Sequence, residues 1–325
     1  MSDQPVGVSI IVIAYNEESR ISYCLDALLA QDTHTPYEVI VVDDHSRDST
    51  ARIVAEFQAS HSNLRLLQHA SNRGRGAARR TGQDAASSSL VGFVDADIVV
   101  PPKWLSRCID ELSDADGVSG IAQPDGDCAV IWRICQPTLR DRPGSAEITG
   151  NNVIFSRDAL TLVPFSPSAK LGEDFRLAKL MTRAGLRLRT ITDLKVVHRE
   201  AKTYWAGVSW MWQSGVDATS LLFEFRVVRL ADLAWLSWIA GFLALVVAST
   251  VGHLGGLWFV AIGALLTVAV DAGFIYSRFA LRPSPLRFLG ALLISPPMML
   301  AYLLGRTAGL VRIPLLLRRS STPLS

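Results

Sequence analysis

From Val8 to Val94 the chain alternates short β-branched runs with amphipathic stretches, and this rhythm restricts it to a layered α/β sheet with parallel strands. Val8–Ala14, Glu38–Asp43, Leu64–Leu67 and Val91–Val94 read as strands, and Ser19–Gln31, Thr50–Ala59 and Gly76–Ala86 as the intervening helices. Ligands of such sheets bind at the carboxyl ends of the strands. Polar residues gather there: Tyr15-Asn16-Glu17, Asp43-Asp44 and Asp95-Ala96-Asp97. Neither GxGxxG nor GxxxxGK[ST] occurs, which argues against the usual dinucleotide fingerprint and against a P-loop.

The rest of the chain has a different character. Residues 233–325 hold seven arginines and one acid, whereas the preceding residues carry an acidic excess, so the formal net charge of +2 conceals two regions. Leu233–Val251 is uncharged and Leu254–Tyr276 carries only Asp271, and about 20 apolar residues suffice to span a bilayer. A third apolar segment, Phe288–Gly305, is interrupted by Pro296-Pro297 and reads as a re-entrant hairpin turning at the prolines or as a third span. The hairpin keeps all seven arginines on the cytoplasmic side, as the positive-inside bias favours. The domains are thus expected at 1–204 (catalytic), 205–232 (an aromatic-rich interfacial linker) and 233–317 (membrane region), in a multi-pass protein of the cell membrane with its N-terminal domain in the cytoplasm. Cys24, Cys108, Cys128 and Cys135 show no CxxC or zinc spacing and read as reduced thiols. No nucleic-acid partner is expected.

Asp95 and Asp97 close the run VGFVDADIVVPP, and a persistent period of two would send both carboxylates to one side. Paired acids at a strand end suit Mg²⁺ or Mn²⁺, which take one or two carboxylates and complete their shell with phosphates and water.

The blocks VSIIVIAYNEE, VIVVDDHSRDST, NRGRGAARRTG, VGFVDADIVVPPKWL, ITGNNVIFSRDAL and LGEDFRLAKLMTRAGLRL resemble, in order and spacing, the inverting family 2 glycosyltransferases. The resemblance covers about Val8 to His198. It implies a GT-A nucleotide-diphospho-sugar transferase fold, a Rossmann-like mixed sheet, here followed by C-terminal transmembrane helices. It further implies a nucleotide-sugar donor held by Ala14, Tyr15, Glu17, Asp44, Arg75 and Asp95, and a divalent cation at Asp97 with His198 nearby. The acceptor side would be lined by Gly150, Asn151 and Asn152, with Asp174 of the Glu173-Asp174 pair as the base that deprotonates an acceptor hydroxyl. His45 stands where a glycine is usual and Arg176 where an acid is common. No QxxRW-type motif follows the acidic pair, so one sugar per encounter is expected, in a membrane-associated enzyme similar to those of exopolysaccharide and lipid-glycan assembly. The acceptor is lipid-linked or a glycan. A polyprenyl-phosphate sugar synthase and a non-catalytic sugar-nucleotide binding protein remain as alternatives.

Overall fold

The computed structural model describes residues 7–125, 148, 150–167, 172–199, 203–225 and 285–312, together with six helical positions between 235 and 246. They belong to two compact units, the first drawn from residues 1–126 and 139–201 and the second from 127–138 and 202–325.

The first unit is built on one eight-stranded mixed sheet. Its parallel half contains β1 (Val8–Ala14), β2 (Tyr37–Asp43), β3 (Leu64–Gln68) and β4 (Leu90–Asp95), joined through α1 (Ile21–Leu29), α2 (Thr50–Ser60) and α3 (Arg75–Ala85). Every residue of β1 is buried, because helices cover both faces and leave no solvated side. These elements match the strands and helices expected from the sequence to within about two residues. The other half comprises β5 (Ile98–Val99), α4 (Trp104–Glu111), β6 (Gly117–Pro124), β7 (Asn152–Ser156), α5 (Arg157–Leu162), α6 (Glu173–Arg183) and β8 (Leu188–His198). The strand order is β3-β2-β1-β4-β7-β6-β8-β5, with β7 antiparallel to both β4 and β6.

Two local departures from regularity shape the site. The register of β6 against β8 shifts between Ser119 and Ile121, and the Gly120 N–H at that irregularity donates to Asn152 Oδ1 at 2.7 Å. The chain also turns after Asp95 instead of continuing as a strand, so the alternation expected to align Asp95 and Asp97 ends there.

In the second unit α7 (Tyr204–Phe225) packs against α8 (Pro285–Gly309). α8 runs unbroken through Pro296-Pro297, contrary to the hairpin expected to turn at these residues. Close packing offsets the lost donors: a Cβ on Gly305 would lie 2.1 Å from the Trp212 carbonyl oxygen, and one on Gly215 2.1 Å from that of Tyr302. Met298, Met299 and Leu303 are buried on the inner side while both prolines face outward. Among the described residues no helix is long and apolar enough to cross a membrane. Most of the candidate spans 233–251 and 254–276 lies outside the described residues.

Candidate active site

The carboxyl ends of β1 and β2 lead into two loops that are laced together. Asn16 and His45 both adopt positive φ, 57° and 67°, which explains why a glycine serves at the position His45 occupies. The Asn16 amide donates to Ser46 Oγ, the Arg47 amide donates to Asn16 Oδ1, and the Glu17 amide donates to Thr50 Oγ1. Ala14 is buried at the strand end and accepts the Asp44 N–H, while Tyr15 is 43% exposed at the loop. Glu17 accepts from Arg20 Nε at 2.6 Å. Burial raises the Glu17 pKa, with help from the charges of Asp97 and Asp95, against the lowering effect of Arg20.

Asp44 is turned inward. It is 4% exposed, and its Oδ1 accepts the Arg73 N–H and contacts His69 Nδ1 at 2.7 Å, while its Oδ2 accepts the Gly74 N–H at 2.7 Å. Gly74 has φ 87°, a conformation open to glycine, and this allows the loop to curl around the carboxylate before α3 begins. His69 is fixed in turn by Thr81 Oγ1 at 2.9 Å. Asp44, expected among the residues that hold the donor, thus has partners on both oxygens and shapes the entry to α3.

α3 brings two arginines to the strand ends. Arg75 is exposed, and the charges of Asp95, Glu173, Asp97 and Asp174 raise its pKa although desolvation works against the cation. Arg79, one turn later, is 2% exposed and donates to Asp95 Oδ1 at 2.8 Å, Glu173 Oε1 at 3.1 Å and the Gly150 carbonyl at 2.5 Å. Arg79 and His69 were not among the site residues expected from the sequence. A signal existed for the arginine: Arg75, Arg79 and Gly82 share the helix face that meets the sheet, where a Cβ on Gly82 would lie 2.3 Å from Ile11 Cγ2.

Asp95 and Asp97 reach different partners, as the turn between them requires. Asp97 Oδ2 lies 3.0 Å from His198 Nε2 at the end of β8, and its Oδ1 is buried without a hydrogen-bond partner. The His198 hydrogen bond and charge, with Arg20 and Arg75 beyond, hold the Asp97 carboxyl below its usual range despite burial. Among the described residues no three His, Cys, Asp or Glu side chains form a metal cage. A cation that draws its remaining ligands from phosphates and water needs only one or two protein ligands. The orphaned Oδ1 beside His198 fits such an ion.

The acidic pair occupies the first turn of α6, after Gly172 in the left-handed conformation. Its members are distinct. Glu173 is 5% exposed and paired with Arg79, and burial raises its pKa against the pull of the arginine. Asp174 is half-buried, with Oδ2 accepting the Gly150 N–H at 3.0 Å and Oδ1 accepting the Phe175 N–H at 2.8 Å. Of the residues expected to line an acceptor, Gly150 touches this pair and Asn151 accepts the Asp95 N–H through its carbonyl. Asn152 is wholly buried, its amide turned into the sheet toward Gly120 and Asn151 instead.

Residues 9–160 match the family model described as glycosyl transferase family 2. Glycosyltransferase AglE of Haloferax volcanii is 36% identical over 107 residues, 33% of this chain and 35% of that protein. A dolichyl-phosphate beta-glucosyltransferase of Trichomonas vaginalis is 41% identical over 103 residues, 29% of this chain and 32% of that one. The matched stretch thus spans about a third of each of these curated relatives. Among solved structures, the mannosyltransferase PcManGT of Pyrobaculum calidifontis, in complex with GDP-Man and Mn²⁺, superimposes with a TM-score of 0.63 at 21% identity, covering 94% of this chain and 88% of that one. S. aureus TarS in complex with UDP-GlcNAc gives 0.51 at 20% identity, covering 93% and 91%. These likenesses give the sheet its fold, GT-A, and residues 9–160 are similar in sequence to glycosyl transferase family 2.

Proposed function

We propose that this chain transfers one sugar, with inversion, from a nucleotide-sugar donor to a hydroxyl of a lipid-linked or glycan acceptor at a membrane surface. The observation that carries this reading is the buried Asp97–His198 pair with its orphaned Oδ1, together with Arg75 in the field of Asp95, Asp97 and the acidic pair. Tyr15 offers an exposed ring for the nucleobase, and the loops after β1 and β2 frame it. Arg75 supplies positive charge for the donor phosphates. Asp97 and His198 would hold Mg²⁺ or Mn²⁺. Such a cation neutralises the charge that grows on a departing nucleoside diphosphate. Asp174, the more exposed member of its pair, takes the proton of the acceptor hydroxyl as it attacks. Glu173 is buried against Arg79 and supports rather than performs that step.

Contact with membrane lipids is supported by the second unit. Leu293, Leu300, Leu304 and Val311 are exposed at spacings of seven and four, on one side of α8 and its short continuation, whereas Arg306 is buried beside Tyr302 and Trp235. Charge inside and apolar groups outside suit a lipid environment better than water.

The dolichyl-phosphate glucosyltransferases among the relatives favour a second reading, in which a lipid phosphate is the nucleophile and needs little help from a base. Purified protein in detergent, incubated with labelled nucleotide sugars and a membrane lipid extract, separates the two. An alkali-stable, acid-resistant glycoside supports the hydroxyl acceptor. An acid-labile phosphodiester overturns it in favour of the lipid phosphate, and absence of any labelled product with every donor overturns both.

A further inference from the structure

Arg79 costs free energy to bury, yet it is 2% exposed and all three nitrogens of its fork donate hydrogen bonds. Replacing a buried ion network by apolar side chains is often neutral or stabilising, so stability alone is a weak reason to keep three charged groups in contact here. The bonding pattern suggests another. Arg79 Nη2 grips Asp95 Oδ1 on the donor side at 2.8 Å, and Nη1 grips the Gly150 carbonyl at 2.5 Å. The N–H of the same Gly150 donates to Asp174 Oδ2 at 3.0 Å, while Nε holds Glu173, the neighbour of Asp174 in α6. Phe93 and Phe165 pack beside the guanidinium, their ring centroids 6.0 and 5.6 Å from its central carbon, and leave it little freedom to swing. A Cβ on Gly150 would lie 2.7 Å from Asp174 Cβ and 3.1 Å from Arg79 Nη2, so the joint is closed to any larger residue.

We propose that Arg79 is a positioning residue: through Gly150 and Glu173 it fixes where Asp174 stands relative to Asp95, and so aligns the acceptor's base with the donor. The proposal rests on the glycosyl-transfer reading above. A planar fork with fixed angles performs this task, whereas an ammonium of equal charge does not.

Arg79→Lys keeps the charge and removes the fork. With labelled GDP-mannose, UDP-glucose and UDP-N-acetylglucosamine as donors, a membrane lipid extract as acceptor, and folding checked by circular dichroism, kcat should fall by about 10²-fold, the scale of a small misplacement. Binding of GDP or UDP with MnCl₂, measured by calorimetry, should stay within about threefold. Gly150→Ala pushes on the same joint from the other side and should show the same split, and it decides the matter if Arg79→Lys does not fold. A merely structural arginine predicts lowered thermal stability with unchanged kcat per folded molecule. Either folded variant retaining kcat within about threefold, or losing nucleotide affinity in proportion to kcat, overturns the proposal. Wild type and Asp174→Asn are run alongside. Wild type without transfer removes the glycosyl-transfer reading and this proposal with it, whereas active wild type with an unimpaired Arg79→Lys removes this proposal alone.

Discussion

Asp174→Asn is the perturbation that most cleanly separates chemistry from architecture, because the structure sets the size of both effects. Both oxygens of Asp174 accept backbone N–H groups, from Gly150 at 3.0 Å and from Phe175 at 2.8 Å. Asparagine retains one acceptor and turns an NH₂ toward the other N–H, so one half-buried hydrogen bond is replaced by a donor facing a donor. That mismatch costs about 1 kcal/mol, given that Asp174 is only half-buried. For a domain of about 200 residues it lowers Tm by roughly 2–4 °C. Loss of the proposed base is a far larger matter: kcat should drop by about 10²–10⁴-fold, or roughly 3–5 kcal/mol of barrier. Thermal melts, steady-state transfer to a lipid extract and calorimetric nucleotide binding measure the three quantities separately. Affinity for GDP or UDP should change by less than about threefold, since Asp174 does not touch the donor in this account. Near-normal kcat in Asp174→Asn, with turnover lost instead in Glu173→Gln, refutes the reasoning and moves the base to the buried neighbour.

Three further outcomes test the local physics. Gly82→Ala should destabilise the N-terminal unit by about 1–2 kcal/mol in urea titration, because the added methyl meets Ile11 Cγ2 at 2.3 Å and overpacking outweighs the gain in helix propensity. Asp48→Asn should cost about 1 kcal/mol at neutral pH, since Asp48 accepts the Thr50 N–H at the start of α2 and the Glu18 N–H. The Asp48 pKa is lowered, its hydrogen bonds from Thr50 and Glu18 outweighing a desolvation that raises it, so its contribution is present above the ordinary value of 3.8 and is lost as the pH falls through the lowered value; the difference from Asp48→Asn should shrink in melts taken at successively lower pH. His45→Val should cost about 1–2 kcal/mol while His45→Gly does not, because φ at this position is 67° and a β-branched residue resists it.

The parallel half of the sheet was legible because each strand is buried on both faces and reads as a continuous apolar run, as in VSIIVIA and YEVIVVD. The mixed half was not. Its strands are short, as in Ile98–Val99, or carry a register shift, as at Gly120, and no simple period marks them. The site residues divide along a similar line. Asp97, His198, Arg75 and the Glu173-Asp174 pair were expected from acids at strand ends and from the family resemblance, and the structure brings them, with Asp95, into one electrostatic neighbourhood. The inward turn of Asp44 and Asn152 depends on partners 25 to 32 residues away, His69 and Gly120, which pattern alone does not reveal. Pro296-Pro297 misled for a different reason: local propensity argued for a break, and the glycine-mediated packing of α8 on α7 overrides it.

The central claim is that sugar transfer proceeds at a divalent cation held by Asp97 at the strand ends. The direct measurement is movement of label from a nucleotide sugar into the lipid fraction, by wild type and by Asp97→Ala, after exhaustive chelation and again after addition of Mn²⁺. The account predicts transfer by wild type that disappears on chelation and returns with Mn²⁺, and no transfer by Asp97→Ala under any condition although its fold persists by circular dichroism. Undiminished transfer by fully chelated wild type, or by Asp97→Ala, contradicts it.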